Sequence, residues 1–370
     1  MNLRPQMLAN LIVAALVVFA VPHPARADWP MFRGAPSLAG HASQALAPPL
    51  RVLWSKDVGS VEATAAIAHG VVYAATMRGT VLALSLATGQ AIWTYRSPDA
   101  FSASPCVADG IVTVGDEGGV LHALRASDGK LLWQHPTGDK IASSVTPAPH
   151  GRLLFGSYDG RLYCVSEKNG ATIWSLKTDA QVHASACVAG KTVVIGGCDG
   201  KVRGIDLATG AQRFALVAGT SMGASPASGG TTVFLGTLAG AYFALDPVHG
   251  RSIWRLQEHE DGAACYASAA VSSGRVVFGS RSQRLFCLDG AKGRALWTLR
   301  TASQINSSPL IAGGTVWAGT DDGTLIGVDL ANGTQVWRFR AGGSLKASPA
   351  VAEGKLVIGS TSGTLFCLGK

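Results

Sequence analysis

Ala83-Leu84-Ser85-Leu86-Ala87-Thr88-Gly89-Gln90-Ala91-Ile92-Trp93 is the stretch that decides the fold. An apolar strand end runs into a Thr-Gly turn, and a second short strand carries a Trp. Gly204 to Phe214, Cys287 to Trp297 and Gly327 to Trp337 repeat the pattern imperfectly. The Trp marks a ladder: Trp54, Trp93, Trp133, Trp174, Trp254, Trp297 and Trp337, with Phe214 midway between Trp174 and Trp254. Eight equivalent aromatic positions recur about every forty residues, a period that belongs to repeat architectures.

Other features keep the same phase. Each period holds a β-type run such as Val71-Val72-Tyr73-Ala74 or Thr192-Val193-Val194-Ile195. A Gly-rich turn follows, as in Tyr158-Asp159-Gly160, and then a second apolar run such as Leu162-Tyr163-Cys164-Val165. Short strands at this spacing, separated by Gly turns, are an all-β signal. No segment after the first residues has a helical period. His69-Gly70, Asp109-Gly110, His150-Gly151 and Glu353-Gly354 sit where tight hairpins are needed. Asp206, Asp246, Asp289 and Asp329 precede the turn before the aromatic strand, where a carboxylate can accept the turn's own N–H groups.

Four strands per forty residues, repeated about an axis, make a propeller blade. The expected fold is therefore an all-β, eight-bladed β-propeller with four-stranded blades, A to D from the axis outward. After Arg340 only an A, a B and a C strand remain, whereas Arg51-Val52-Leu53-Trp54-Ser55 is a D strand with no blade before it. The N-terminal strand is expected to complete the last blade and remove an open edge.

Met1 to Ala27 reads as a secretory signal peptide: Arg4, an apolar run from Leu8 to Val21, and Ala25-Arg26-Ala27 before Asp28. An uncleaved anchor is the other reading, although Pro22 and Pro24 would end a spanning helix early. Residues 28–50 are a lead-in and 51–370 the propeller. Without the signal, 29 Lys and Arg face 23 Asp and Glu, a net charge of +6 instead of +8. This mild excess forms no basic run and does not support nucleic-acid binding. The seven Cys include no C-x-x-C, no vicinal pair and no haem motif. Cys106, Cys187, Cys164, Cys287 and Cys367 fall at apolar strand positions and read as core fillers. Cys198 and Cys265 are placed near the channel entrance and are the two thiols to test for reactivity.

Ala83 to Trp93 looks like the tryptophan-docking motif of the quinoprotein-like (PQQ-type) β-propeller repeat family, in which the Ala packs in the third strand and the Trp docks between blades. Asp28-Trp29-Pro30-Met31-Phe32-Arg33-Gly34 also resembles a lead-in found before such propellers in exported bacterial proteins. The ladder Trp is never followed by Asp, so the WD40 signature is absent. The resemblance implies two functions. One is a quinoprotein dehydrogenase with PQQ at the central channel, but the chain has no adjacent Cys pair, no long insertions and no Asp base beside a calcium-ligand set. The other is a cofactor-free scaffold similar to the outer-membrane assembly proteins of the BamB type, from which this chain departs in having no lipidation Cys. The leading expectation is an exported, periplasmic or secreted, monomeric scaffold with a protein partner and no cofactor.

Aligning the repeats on their Ala/Ser-Ser/Thr step places eight residues around the channel: Glu62, Ser102, Ala142, His183, Gly223, Tyr266, Asn306 and Lys346. The residues after them are nearly constant (Ala63, Ala103, Ser143, Ala184, Ala224, Ala267, Ser307, Ala347), while the eight vary widely. Repeats that share a packing problem should share residues, so Glu62, His183, Tyr266, Asn306 and Lys346 are the candidate ligand-binding residues. A local Glu62–Lys346 ion pair is the plainer alternative. Gln257-Glu258-His259-Glu260-Asp261-Gly262 is a second candidate, for a metal, against a solvated loop.

Overall fold

The computed structural model describes residues 28–257 and 263–370. The signal-peptide reading and most of the acidic loop, from Glu258 to Gly262, lie outside the described residues. The fold is an all-β, eight-bladed propeller. Blade 1 is built from Ala66–Ala68, Val71–Thr76, Thr80–Ser85 and Ala91–Arg96. The next six blades repeat this meander of antiparallel strands through Arg340. The eighth consists of Ala350–Ala352, Lys355–Gly359 and Thr364–Gly369, and Arg51–Asp57 pairs antiparallel to the last of these. The two ends of the propeller therefore close the ring by hydrogen bonds, as the strand count requires.

The A, B and C strands are buried, whereas the D strands turn alternate side chains outward. The hairpin residues His69, Asp109, His150 and Glu353 all have positive φ, as do the Gly residues that follow them. The Asp turn positions behave as expected. Asp206 Oδ1 accepts the N–H groups of Ala208 and Thr209 at 2.9 Å each, and Asp246, Asp289 and Asp329 do the same in later blades.

Blade-to-blade contact explains the ladder. The indole N–H of Trp54, Trp93 and Trp133 donates to the Leu86, Ala126 and Glu167 carbonyls of the following blade at 2.8–2.9 Å. Each ring lies flat on a turn glycine of that blade. At Gly89 a Cβ would come within 2.8 Å of Trp54, and φ there is +70°, so the position demands glycine twice over. Phe214 keeps the contact with Gly250 but has no N–H to give.

The lead-in is the part of the fold that does not repeat. It forms a strap along the inner edges of the blades. In six blades the A strand turns an N–H toward the strap. Ile67, Val107, Val188, Ser228, Val271 and Ile311 donate theirs to Trp29, Pro30, Pro36, Ser37, Ala39 and Gly40 carbonyls at 2.7–2.9 Å. Blade 3 is skipped because Pro147 occupies that place and has no N–H. His41–Ala42 then pairs parallel to Leu310–Ala312. Met31 and Leu38 are fully buried against Cys106, Ile141 and Phe155. Six of the eight otherwise unpaired inner edges are thereby satisfied.

Candidate functional site

The central channel holds a cavity of 410 Å³ lined by two tiers of residues and by Phe32 of the strap. The upper tier, or rim, contains all eight positions aligned from the sequence: Glu62, Ser102, Ala142, His183, Gly223, Tyr266, Asn306 and Lys346. They do not begin the A strands. Each lies four residues upstream, in the bend that enters the strand; Glu62 precedes Ala66 by that interval. Phe32 reaches the channel from the strap, which lies against the lower part of the A strands, and so forms the cavity floor and leaves it open on one side.

The rim side chains form three separate polar groups. Lys346 Nζ lies 2.9 Å from Glu62 Oε1, with both side chains substantially exposed. This pair joins blades 8 and 1. In blades 2 to 4, Ser102 donates to Glu117, Lys140 Nζ is 3.2 Å from Glu117 Oε2, and the Lys140 ammonium lies 4.6 Å from the Tyr158 ring centre. The Tyr158 hydroxyl reaches His183 Nδ1 at 2.8 Å. Burial, then the Lys140 charge, pushes the His183 pKa below its ordinary value, and burial pushes the Tyr158 hydroxyl up. His183 is therefore neutral at pH 7. In blades 6 and 7, the Arg281 guanidinium stacks 4.5 Å from the Tyr266 ring centre, Arg281 Nε donates to Asn306 Oδ1 at 3.0 Å, and Asn306 Nδ2 donates to Asp321 Oδ2 at 2.6 Å. Blade 5 breaks the circle: Gly223 has no side chain, and the Tyr266 ring fills its place, within 3.0 Å of where a Cβ would stand. Tyr266 is 38% exposed.

Sequence reasoning missed Arg281, Glu117, Tyr158 and Asp321. They come from a second position in each repeat, at the turn between the B and C strands. In the structure their backbone N–H groups repeat one contact: Glu117, Tyr158, Arg281 and Asp321 donate to Ala100, Lys140, Ala264 and Gln304 carbonyls. Only the fold shows that this turn rises beside the rim.

Below the rim, two residues further along each repeat, stands a tier of hydroxyls: Thr64, Ser104, Ser144, Ser185, Ser225, Ser268, Ser308 and Ser348, none more than 6% exposed. The Thr64 N–H donates to Ser104 Oγ, the Ser104 N–H to Ser144 Oγ, and so on to Ser308 and Ser348, all at 2.9–3.0 Å. This interblade chain accounts for the constant Ala/Ser-Ser/Thr step.

The cysteines follow the core reading, with one correction. Cys106 and Cys187 begin A strands, and Cys164, Cys287 and Cys367 sit in C strands, all buried. Burial pushes the Cys106, Cys187 and Cys367 thiols up to about 12, far from the thiolate. Cys265 is not at the entrance surface. It is fully buried, with its sulfur 2.5 Å from where a Cβ on Gly236 would stand, so it is closed to reagents. Cys198 is partly exposed, and burial raises its pKa too.

The geometry does not fit PQQ with its calcium. Among the described residues no three His, Cys, Asp or Glu side chains converge on a point where an ion could sit. The rim carboxylates of Glu62, Glu117 and Asp321 each already have a partner. All seven cysteines are free thiols, so no disulfide is present to lie over a quinone ring.

The fold and its repeat define a PQQ-type eight-bladed propeller. The sequence pattern of the outer membrane protein assembly factor BamB family matches residues 44–150, 117–261 and 244–369, and the chain belongs to that family. No curated protein matches it. Among solved structures, BamB from Moraxella catarrhalis is 19% identical, with a TM-score of 0.75 over 87% of this chain and 98% of that one. The quinohemoprotein alcohol dehydrogenase from Comamonas testosteroni is 16% identical, with a TM-score of 0.79 over 93% of this chain and 80% of that one. A europium-containing methanol dehydrogenase is 13% identical, with a TM-score of 0.80 over 93% and 98%. At these identities the likeness is one of fold, shared by a scaffold and by enzymes alike. Among the described residues no helix is long and apolar enough to cross a membrane.

Proposed function

We propose that this protein is an exported, non-catalytic scaffold of the cell envelope that presents the rim of its channel to a protein partner. One observation carries the reading. Eight positions that share a backbone environment hold eight different side chains at the open end of the channel, while the packing residues behind them barely change. The rim offers paired charges and a stacked Arg281–Tyr266 platform that packs over Gly223, which is a surface suited to an extended polar and aromatic contact. Membership of the BamB family supports the assembly role and the periplasmic setting. The protein works as a monomer, without nucleic acid and without a bound cofactor.

The test is site-specific photo-crosslinking in intact envelopes. A crosslinker at Tyr266 or Ala142 should give one discrete adduct, and one at Ser273 on the strap-side hairpin of blade 6 should give none. A quinoprotein would instead show a chromophore at one-to-one stoichiometry after incubation with PQQ and calcium, together with alcohol turnover. That result would replace the scaffold reading.

A further inference from the structure

Each hydroxyl of the lower tier from Ser104 to Ser348 spends a lone pair on a neighbouring N–H. A Ser or Thr hydroxyl also carries one proton to donate. Among the described residues none of these eight protons goes to a protein acceptor. All eight hydroxyls line the channel cavity, and no carboxylate lines it below the rim. The inner wall is thus a ring of unspent O–H donors closed from below by Phe32.

A second, independent feature points the same way. Arg33 of the strap is 1% exposed, and no acidic side chain pairs with it among the described residues. Its Nη2 donates to the carbonyl of Ala269 at 2.8 Å, the residue directly after Ser268 of the hydroxyl tier. Its Nε and Nη1 have no partner. Burial lowers its pKa to about 9, still above neutral, so the side chain remains a cation at pH 7. An uncompensated positive charge therefore lies one residue below the hydroxyl tier, at the Ala269 carbonyl, where it lines a separate cavity on the strap side of the cup. Both features favour negative charge on the axis.

We propose that the hydroxyl tier is a binding site for a small oxyanion, a carboxylate or phosphate whose oxygens accept from the converging Ser and Thr hydroxyls, with the Arg33 charge acting from below. The oxyanion enters past the rim. This site stands apart from the partner reading: a free anion and a carboxylate carried on a chain present the same oxygens to the ring.

The experiment is isothermal titration at constant ionic strength in chloride, with inorganic phosphate and acetate as free probes and a terminally blocked Gly-Asp-Gly peptide as the chain-borne one. One saturable site is expected for at least one probe. Ala142→Glu sets a negative charge above the cup and should weaken it about tenfold, and Ala142→Lys should tighten it, since a unit charge a few ångströms away in a partly desolvated channel is worth on the order of 1–2 kcal/mol. Melting curves of both variants check that each is folded. Phosphate or acetate binding assigns the site to free anions; binding of the peptide alone assigns it to a carboxylate on a partner. Absence of saturable heat with all three probes down to a Kd of about 10 mM, or equal affinity in the two Ala142 variants, overturns the proposal. The crosslinking result would be unaffected by that failure.

Discussion

Two rings of side chains lie two residues apart in every repeat, and they follow opposite rules. At the rim stand Glu62, Ser102, Ala142, His183, Gly223, Tyr266, Asn306 and Lys346. Below it stand one Thr and seven Ser. The lower position has a repeated obligation: a backbone N–H of the preceding blade needs an acceptor there, and a small hydroxyl supplies it without widening the channel. The rim position owes nothing to its neighbours, because water can satisfy whatever stands there. Identical geometry therefore yields uniform chemistry where the backbone makes a demand and individual chemistry where it does not. Binding is to be sought in the second kind of ring, and closure in the first.

The largest expected effect tests whether these are rings at all. Excising Arg51–Asp57 leaves the eighth blade with three strands and exposes its outer edge. It also removes Trp54 from the Gly89 turn and its indole bond to the Leu86 carbonyl. Trp54 is half-buried, so its loss alone costs somewhat less than the about 3–5 kcal/mol of a core Trp. The variant should melt far below wild type and associate through the open edge, as read by thermal unfolding and size-exclusion chromatography. A variant that melts as wild type and stays monomeric would break the closed-ring account.

The next effect asks whether individual chemistry always means binding. Blade 2 holds a private cluster. His122 Nε2 lies 2.6 Å from Asp116 Oδ2, the Tyr95 hydroxyl is 3.0 Å from His122 Nδ1, and Ser97 donates to Asp116 at 3.1 Å. Both Asp116 and His122 are buried, so this cluster is predicted to serve stability. Asp116→Ala strands the imidazole and the Val120 N–H and should cost about 3–5 kcal/mol, while leaving rim crosslinking intact. Burial pushes the Asp116 carboxyl up, but the His122, Val120 and Ser97 bonds outweigh it and hold it below the usual carboxylate range. The folded pKa is thus the lower one. The contribution is complete above the unfolded value and fades as pH falls through the folded one, so the gap between wild type and variant should narrow below about pH 4. A gap that stays constant from pH 7 to pH 3 would remove the carboxylate from the account.

How much of this could be read beforehand follows the same division. The eight blades, the closure by Arg51 to Ser55 and the Asp turns were legible because a repeated requirement leaves a repeated residue. The rim was legible as a set of positions, though not its height above the strands. The strap was not legible. Its contacts are made mostly by carbonyls of Trp29, Pro30, Pro36, Ser37, Ala39 and Gly40, and a carbonyl has no residue signature. Pro147 became informative only once its six N–H-donating counterparts were seen. Arg33 was equally hidden, since nothing in the repeats marks an Arg of the lead-in as buried until the strap places it against Ala269. The Cys265 expectation failed for a related reason: closeness in sequence to the rim residue Tyr266 says nothing about the opposite side of a bend.

A smaller effect separates the rings directly. Ser225→Ala deprives the Ser185 N–H of its acceptor in a buried place. An unsatisfied buried donor costs about 1–3 kcal/mol, and the melting temperature should fall accordingly. Ser225→Thr keeps the hydroxyl and should recover most of the loss. If alanine and threonine destabilise equally, the interblade chain is a matter of volume and its acceptor role is wrong.

The smallest expected effect on stability belongs to the rim, and it decides what the rim is for. Among the described residues, Lys346 and Glu62 form the one ion pair that bridges blades 8 and 1, the two blades that meet at the closure. If this pair helped lock the ring, Lys346→Ala would lower the melting temperature and leave Glu62 unmatched. The geometry argues otherwise. The lysine side chain is 47% exposed and the glutamate 34%, so water solvates both and screens their attraction to about 0–1 kcal/mol. Closure rests instead on the antiparallel ladder between Arg51–Asp57 and Thr364–Gly369 and on the Trp54 contact, neither of which touches Lys346. Lys346→Ala should therefore melt within about 0.5 kcal/mol of wild type. In the same variant the crosslinked adduct from Tyr266 should weaken, because a charge has been removed from the surface that meets the partner. His183→Ala and Asn306→Ala should weaken the adduct as well, but at a larger cost in stability, because Tyr158 and Asp321 each lose a bonded partner. A lower melting temperature with an undiminished adduct would make the rim a structural seam and move the search for the partner site to another face.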